Sequence, residues 1–172
     1  MADTAGAEDQ TPPQLRLLAQ YAKDISFENP QAPDSLRQNL PTPSVDVGID
    51  VKAGRVGETL YEVQIRLTST ASREEKPVFI GELTYAGVFE ITNVPEASLQ
   101  PFLLIECPRL LFPFARRILA DLTRDGGFPA LNLEPIDFAA LFRRQQEGGA
   151  VSAGAPSDTA HLAIFLVVWA RP

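Results

Sequence analysis

The segment VFIGELTYAGVFEI, Val78 to Ile91, alternates along its whole length. Phe79, Gly81, Leu83, Tyr85, Gly87, Phe89 and Ile91 fall on one face, and Val78, Ile80, Glu82, Thr84, Ala86, Val88 and Glu90 on the other. The first face is apolar with two glycine gaps, whereas the second mixes apolar and acidic residues. Alternation of this period predicts a half-buried strand. Three earlier segments repeat it. From Gln14, the residues Leu15, Leu17, Ala19, Tyr21, Ile25 and Phe27 share one side and Gln14, Arg16, Gln20, Asp24, Ser26 and Glu28 the other, while Leu18, Ala22 and Lys23 break the pattern. Val45, Val47, Ile49 and Val51 oppose Asp46, Asp50 and Lys52, and Tyr61, Val63, Ile65 and Leu67 oppose Glu62, Gln64, Arg66 and Thr68. The connections AGRVGET and SREEKP are short, which favours antiparallel neighbours for the second, third and fourth strands. The proline-rich stretch NPQAPDSLRQNLPTPS predicts a long surface connection with one helical turn at Asp34 to Arg37.

Beyond residue 98 the spacing becomes helical. Phe114, Ala115, Ile118, Leu119 and Leu122 recur at helical steps. Pro113 is expected near a helix start, so the long helix is predicted to begin around Arg109 to Phe112 and to end at Asp125-Gly126-Gly127. Asp137 is the expected N-cap of a second helix carrying Phe138, Leu141 and Phe142 on one face. The predicted fold is α+β: a four-stranded antiparallel sheet with two helices packed on one face. Phe102, Leu103, Leu104, Ile105, Leu110, Leu111, Phe112 and Phe128 exceed what the helical stripes use, and this surplus predicts a homo-oligomer. Residues 1–13 are expected to be disordered, residues 14–147 to form the domain, and residues 148–172 to be a flexible tail with an apolar end.

Composition narrows the function classes. The formal net charge is −7, which argues against nucleic-acid binding and favours basic partners. The acids of the polar sheet face are Asp24, Glu28, Asp46, Asp50, Glu62, Glu82 and Glu90, against Arg16, Lys52 and Arg66. By charge alone this is an ordinary solvated face, and its functional reading is a docking site for a basic partner. The single cysteine, Cys107, builds no disulfide framework and points to a reducing compartment. The N-terminus has no apolar h-region, and the run Leu162 to Ala170 is far short of the ~20 residues a membrane span needs, so a cytoplasmic protein without membrane insertion is expected. Cys107 and the single histidine, His161, are a formal nucleophile pair, weighed against a buried apolar thiol. No zinc set or phosphate loop is present in the sequence, so no catalytic residues, metal or cofactor are expected.

YAKDISFENPQAP, GELTYAGVFEI, CPRLLFPFARRIL and GGFPALNLEPIDFAALF occur in this order and resemble SecB, the bacterial protein-export chaperone family, from about Leu15 to Arg144. The resemblance implies a homotetramer, a dimer of dimers whose helices lie between two eight-stranded sheets. It implies a holdase that binds unfolded secretory precursors and delivers them to the SecA ATPase. By position, the SecA-docking set falls on Asp24, Glu28, Ile80 and Glu82. The oligomer-interface positions fall on Phe79, Gly81, Leu83 and Tyr85, with Gly81 and Tyr85 differing in type from familiar members. Phe27, Phe138, Leu141 and Phe142 are the client-groove candidates, set against plain core packing. The tail departs from the family, whose tails are polar. HLAIFLVVWARP is β-prone and apolar, and three readings stay open: it packs into a groove of its own assembly, it acts as an internal client, or it is an error in the recorded sequence. Two other functions also remain: a SecB-like chaperone dedicated to an antitoxin, and a structural subunit of a larger complex.

Overall fold

The computed structural model describes residues 11–147 and 159–168. Four strands follow the predicted alternation: β1 (Gln14–Glu28), β2 (Ser44–Arg55), β3 (Leu60–Arg73) and β4 (Lys76–Thr92). A fifth, β5 (Thr159–Val168), extends the sheet, and all neighbours pair antiparallel in the order β1-β4-β3-β2-β5. The apolar C-terminal run therefore joins the sheet edge, with Leu162 opposite Val51 and both fully buried. Of the expected disordered and flexible segments, residues 1–10, 148–158 and 169–172 lie outside the described residues.

The interruptions in the first strand are β-bulges. Leu17 pairs with Phe89 and Ala19 with Val88, which leaves Leu18 unopposed, and Lys23 is skipped in the same way between Ala22 and Asp24. Each extra residue inverts the faces that follow it. Ala19 and Tyr21 consequently lie with Val88 and Ala86 on the outer face, while Gln20 lies opposite Gly87 on the helix side. This corrects the expected placement of Ala19, Tyr21 and Gln20. The second bulge restores the phase, so Ile25 and Phe27 return to the helix side and Asp24 and Glu28 stay outside.

The helical layer starts earlier than predicted. α1 (Glu96–Pro101), a π-helical turn (Phe102–Glu106) and α2 (Cys107–Asp125) run on continuously, so the start expected near Arg109 to Phe112 is too late. Pro101, Pro108 and Pro113 look like breaks because each removes an N–H and crowds the carbonyl four residues back. The π turn relieves part of this: the Cys107 N–H reaches Phe102 O, and Leu104, the residue Pro108 would have bonded, lies inside the widened turn. Pro113 sits within α2 rather than near its start, and the residue four before it, Arg109, is exposed. α2 ends in a Schellman motif. Gly127 adopts φ 89°, its N–H bonds Arg124 O at 3.0 Å and the Phe128 N–H bonds Thr123 O at 3.1 Å. Asp137 caps α3 (Phe138–Glu147) as expected, accepting from the Ala140 N–H at 2.9 Å.

One core lies between the sheet and these helices. The buried stripe of α2 is Cys107, Leu111, Ala115 and Leu119, with Phe114 on its rim rather than in it. Of the apolar surplus, Leu103, Leu104, Leu111, Phe112 and Phe128 are buried within the single chain. The sheet, with β5 as an added cover, hides much of what the sequence assigned to an oligomer interface. A Cβ on Gly87 would stand 2.8 Å from Leu111 Cδ2 and 3.1 Å from Leu17 Cδ1, so this glycine gap in β4 is filled by side chains of α2 and β1.

Candidate functional site

The outer face of the sheet gathers the charged residues. Across the ladder Glu28 lies opposite Ile80, Ser26 opposite Glu82 and Asp24 opposite Thr84. The four residues Asp24, Glu28, Ile80 and Glu82 thus come together on one face of the β1–β4 pair. A shallow depression of about 230 Å³ beside them is lined by Asp24, Asp50, Lys52, Gln64, Arg66, Glu82 and Thr84.

These acids differ in availability. Glu82 accepts from Arg66 Nη2 at 2.9 Å, and that bond raises the Arg66 pKa, with further help from the charges of Asp50 and Asp24. Asp24 and Glu28 form no ion pair among the described residues. Glu62 is the most engaged carboxylate of the face. Tyr21 Oη donates to it at 2.5 Å, Lys23 Nζ donates to both oxygens at 2.9 and 3.0 Å, and Gln64 Nε2 donates at 2.7 Å. Burial works against its charge, yet these donors hold its pKa below the usual carboxylate value, while the same contact pushes the Tyr21 hydroxyl up. The sequence pattern missed this cluster because Tyr21 and Lys23 reach the outer face only through the two bulges.

Phe79, Gly81, Leu83 and Tyr85 occupy the inner face of β4 and are covered by helix and strand side chains of the same chain. A Cβ at Gly81 would lie 2.8 Å from Ser69 Oγ and 3.7 Å from Leu119 Cδ1. Tyr85 stacks on Phe114, ring centroids 6.4 Å apart. Beyond them, the β1 flank of the helix layer carries apolar residues left in solvent: Leu17 (37% exposed), Ile25 (46%), Leu110 (45%) and Phe114 (41%).

The four groove candidates divide between two places. Phe27 stacks on Phe79 at 5.5 Å, which in turn meets Phe128 at 4.9 Å, all close to Gly126 at the end of α2. Phe138 meets Phe112 edge-on at 5.8 Å near the start of α2. Gly126 lies fourteen residue steps beyond Phe112, about 21 Å at a helical rise of about 1.5 Å each. Phe138 is 1% exposed and Phe142 is also buried, whereas Leu141 is half-buried. A larger hollow of about 610 Å³, lined by Arg55, Tyr61, Ile91, Asn93, Val94 and Leu99 among others, contains none of the candidates.

Cys107 is fully buried, and burial pushes its thiol up to about 12, which disfavours the thiolate a nucleophile needs. The His161 side chain lies outside the described residues. Among the described residues no cluster of three His, Cys, Asp or Glu side chains is placed to hold a metal, and no helix is long and apolar enough to cross a membrane.

A family model described as "Preprotein translocase subunit SecB" matches residues 8–148. The chain belongs to the SecB family. Its relatives include the "Protein-export protein SecB" of Maricaulis maris, 56% identical over 88% of this chain and 87% of that protein. That of Afipia carboxidovorans is 54% identical over 84% and 91%. Membership of this family makes the chain a protein-export chaperone. The fold is also that of a solved SecB-like chaperone from Mycobacterium tuberculosis, in complex with a peptide from the HigA1 antitoxin, at TM-score 0.59 and 16% identity over 71% of this chain and 90% of that one.

Proposed function

We propose that this SecB-family protein is a cytoplasmic holdase without enzymatic activity. It captures unfolded secretory precursors and delivers them to SecA, working as a homotetramer built as a dimer of dimers. The observation that carries the reading is the division of one domain into two unlike surfaces. On the outer sheet face, Asp24 and Glu28, which form no ion pair among the described residues, stand beside the half-buried Ile80, which suits a basic, partly apolar docking partner. On the opposite side, the flank of Leu17, Ile25, Leu110 and Phe114 leaves apolar area for a second copy to cover.

Client capture rests on apolar burial at roughly 25 cal/mol per Å² removed from water. Several weak sites on one assembly multiply avidity without demanding a sequence. Leu141 and the Phe27 ring are the groove candidates still within reach of solvent, whereas Phe138 and Phe142 are buried. The export reading is tested by mixing the purified protein with a denatured precursor and with SecA, and weighing both complexes by light scattering. Association with both is expected, and association with neither removes the reading.

A further inference from the structure

The β2 edge of the sheet is occupied by an extended apolar segment of the chain itself. β5 pairs with β2 at ten positions, from Val45 opposite Val168 to Gly54 opposite Thr159. We propose that this edge is a strand-addition site for extended apolar segments of unfolded proteins, and that Thr159–Val168 is its resident occupant, displaced when a client docks. The inference rests on the holdase reading and gives it a mode of capture and a built-in competitor.

Three features support it. The ladder is made by backbone groups, and main-chain pairing accepts any extended segment, with side-chain pockets adding selectivity. One such pocket is filled: Leu162 is fully buried opposite Val51 and belongs to the core, and both α3 and the π turn lie against β5. An incoming segment therefore needs one large aliphatic residue at that register position. The third feature is the tether. Only residues 148–158 join α3 to β5, and a linker this short holds its end at an effective concentration of order millimolar. Weak or isolated apolar peptides lose to the resident strand. A long unfolded chain that engages several sites at once does not, and a folded protein has no free strand to offer.

The test compares three forms of the full assembly: the native chain, a chain ending at Glu147, and the double variant Lys52→Cys/His161→Cys, whose positions face each other across the β2–β5 ladder. The probe is reduced, carboxymethylated α-lactalbumin, which stays unfolded. If the resident strand occupies the edge about 90% of the time, its removal raises probe affinity about tenfold. Oxidising the paired cysteines lowers affinity at least tenfold, and reduction restores it. A synthetic Thr159–Val168 peptide competes with the probe on the shortened chain. Hydrogen exchange on the native chain shows β5 amides losing protection on probe addition while β2 amides keep theirs. Equal probe affinity in all forms, oxidised and reduced, overturns the inference and leaves the holdase reading standing. No probe binding by any form removes the holdase reading itself. Should the shortened chain fail to fold, the locked variant before and after reduction decides.

Discussion

Glu28 stands directly opposite Ile80 in the β1–β4 ladder, so an exposed carboxylate and a half-buried aliphatic side chain share one spot on the outer sheet face. Asp24 joins them on the same face of β1, while the Glu82 carboxylate is already held by Arg66 at 2.9 Å. Of these three acids, Asp24 and Glu28 are therefore more available to a basic partner than Glu82. Asp24→Lys and Glu28→Lys are each expected to weaken SecA association about tenfold, equivalent to ~1.4 kcal/mol. Glu82→Gln is expected to weaken it less. Titration calorimetry at two salt concentrations checks both points, since the loss should shrink as salt rises. Capture of an unfolded client should not change. An equal loss of client capture would place the effect in the fold rather than on the face.

Assembly is expected to fail at Phe114. Its ring is 41% exposed within the chain and stacks on Tyr85, so Phe114→Asp places a charge on the apolar flank without emptying the core. Light scattering should show a smaller species at unchanged far-ultraviolet circular dichroism. An unchanged mass would assign the flank to solvent.

The two sides of α3 separate structure from capture. Phe138→Ala removes a ring that is 1% exposed and should cost about 3–5 kcal/mol in urea unfolding. Leu141→Ala touches a half-buried position and should cost under about 2 kcal/mol, less than a full core deletion. It should still lower client affinity severalfold. Leu141→Ala with full affinity would remove this residue from the groove.

The Glu62 cluster predicts acid sensitivity. Its pKa in the folded protein is lowered from 4.5, so the stability it adds is complete above that value and is lost as pH falls through the lower folded value. Unfolding followed between pH 5 and 2 should fall more steeply for the native chain than for Glu62→Gln. Parallel curves would show that Tyr21, Lys23 and Gln64 do not stabilise the charged form.

Much of this was legible in the chain. Alternation located four of the five strands and, outside the stretch of β1 between its bulges, their polar faces, because one buried side forces a period of two. It also marked Leu18 and Lys23 as irregular, and both fall at bulges. It could not say that these bulges carry Tyr21 across the sheet, since a register shift is visible only against the partner strand. Pro113 misled for a related reason. It read as the mark of a helix start near Arg109 to Phe112, but a π turn and packing against the sheet keep the helix running from Glu96 to Asp125.

Local pattern along the chain was enough for the period of β1 to β4 and of the later helices, the sign of the outer face, the caps at Asp137 and Gly127 and, through ordered motifs, the family. Those are local or compositional properties, set by neighbours along the chain. The folded arrangement was needed to show which acids are already paired, which of the surplus apolar residues are buried, and that the C-terminal run lies on β2. Each depends on contacts between residues far apart in sequence. For Leu162 the partner is Val51, and no local pattern could have named it.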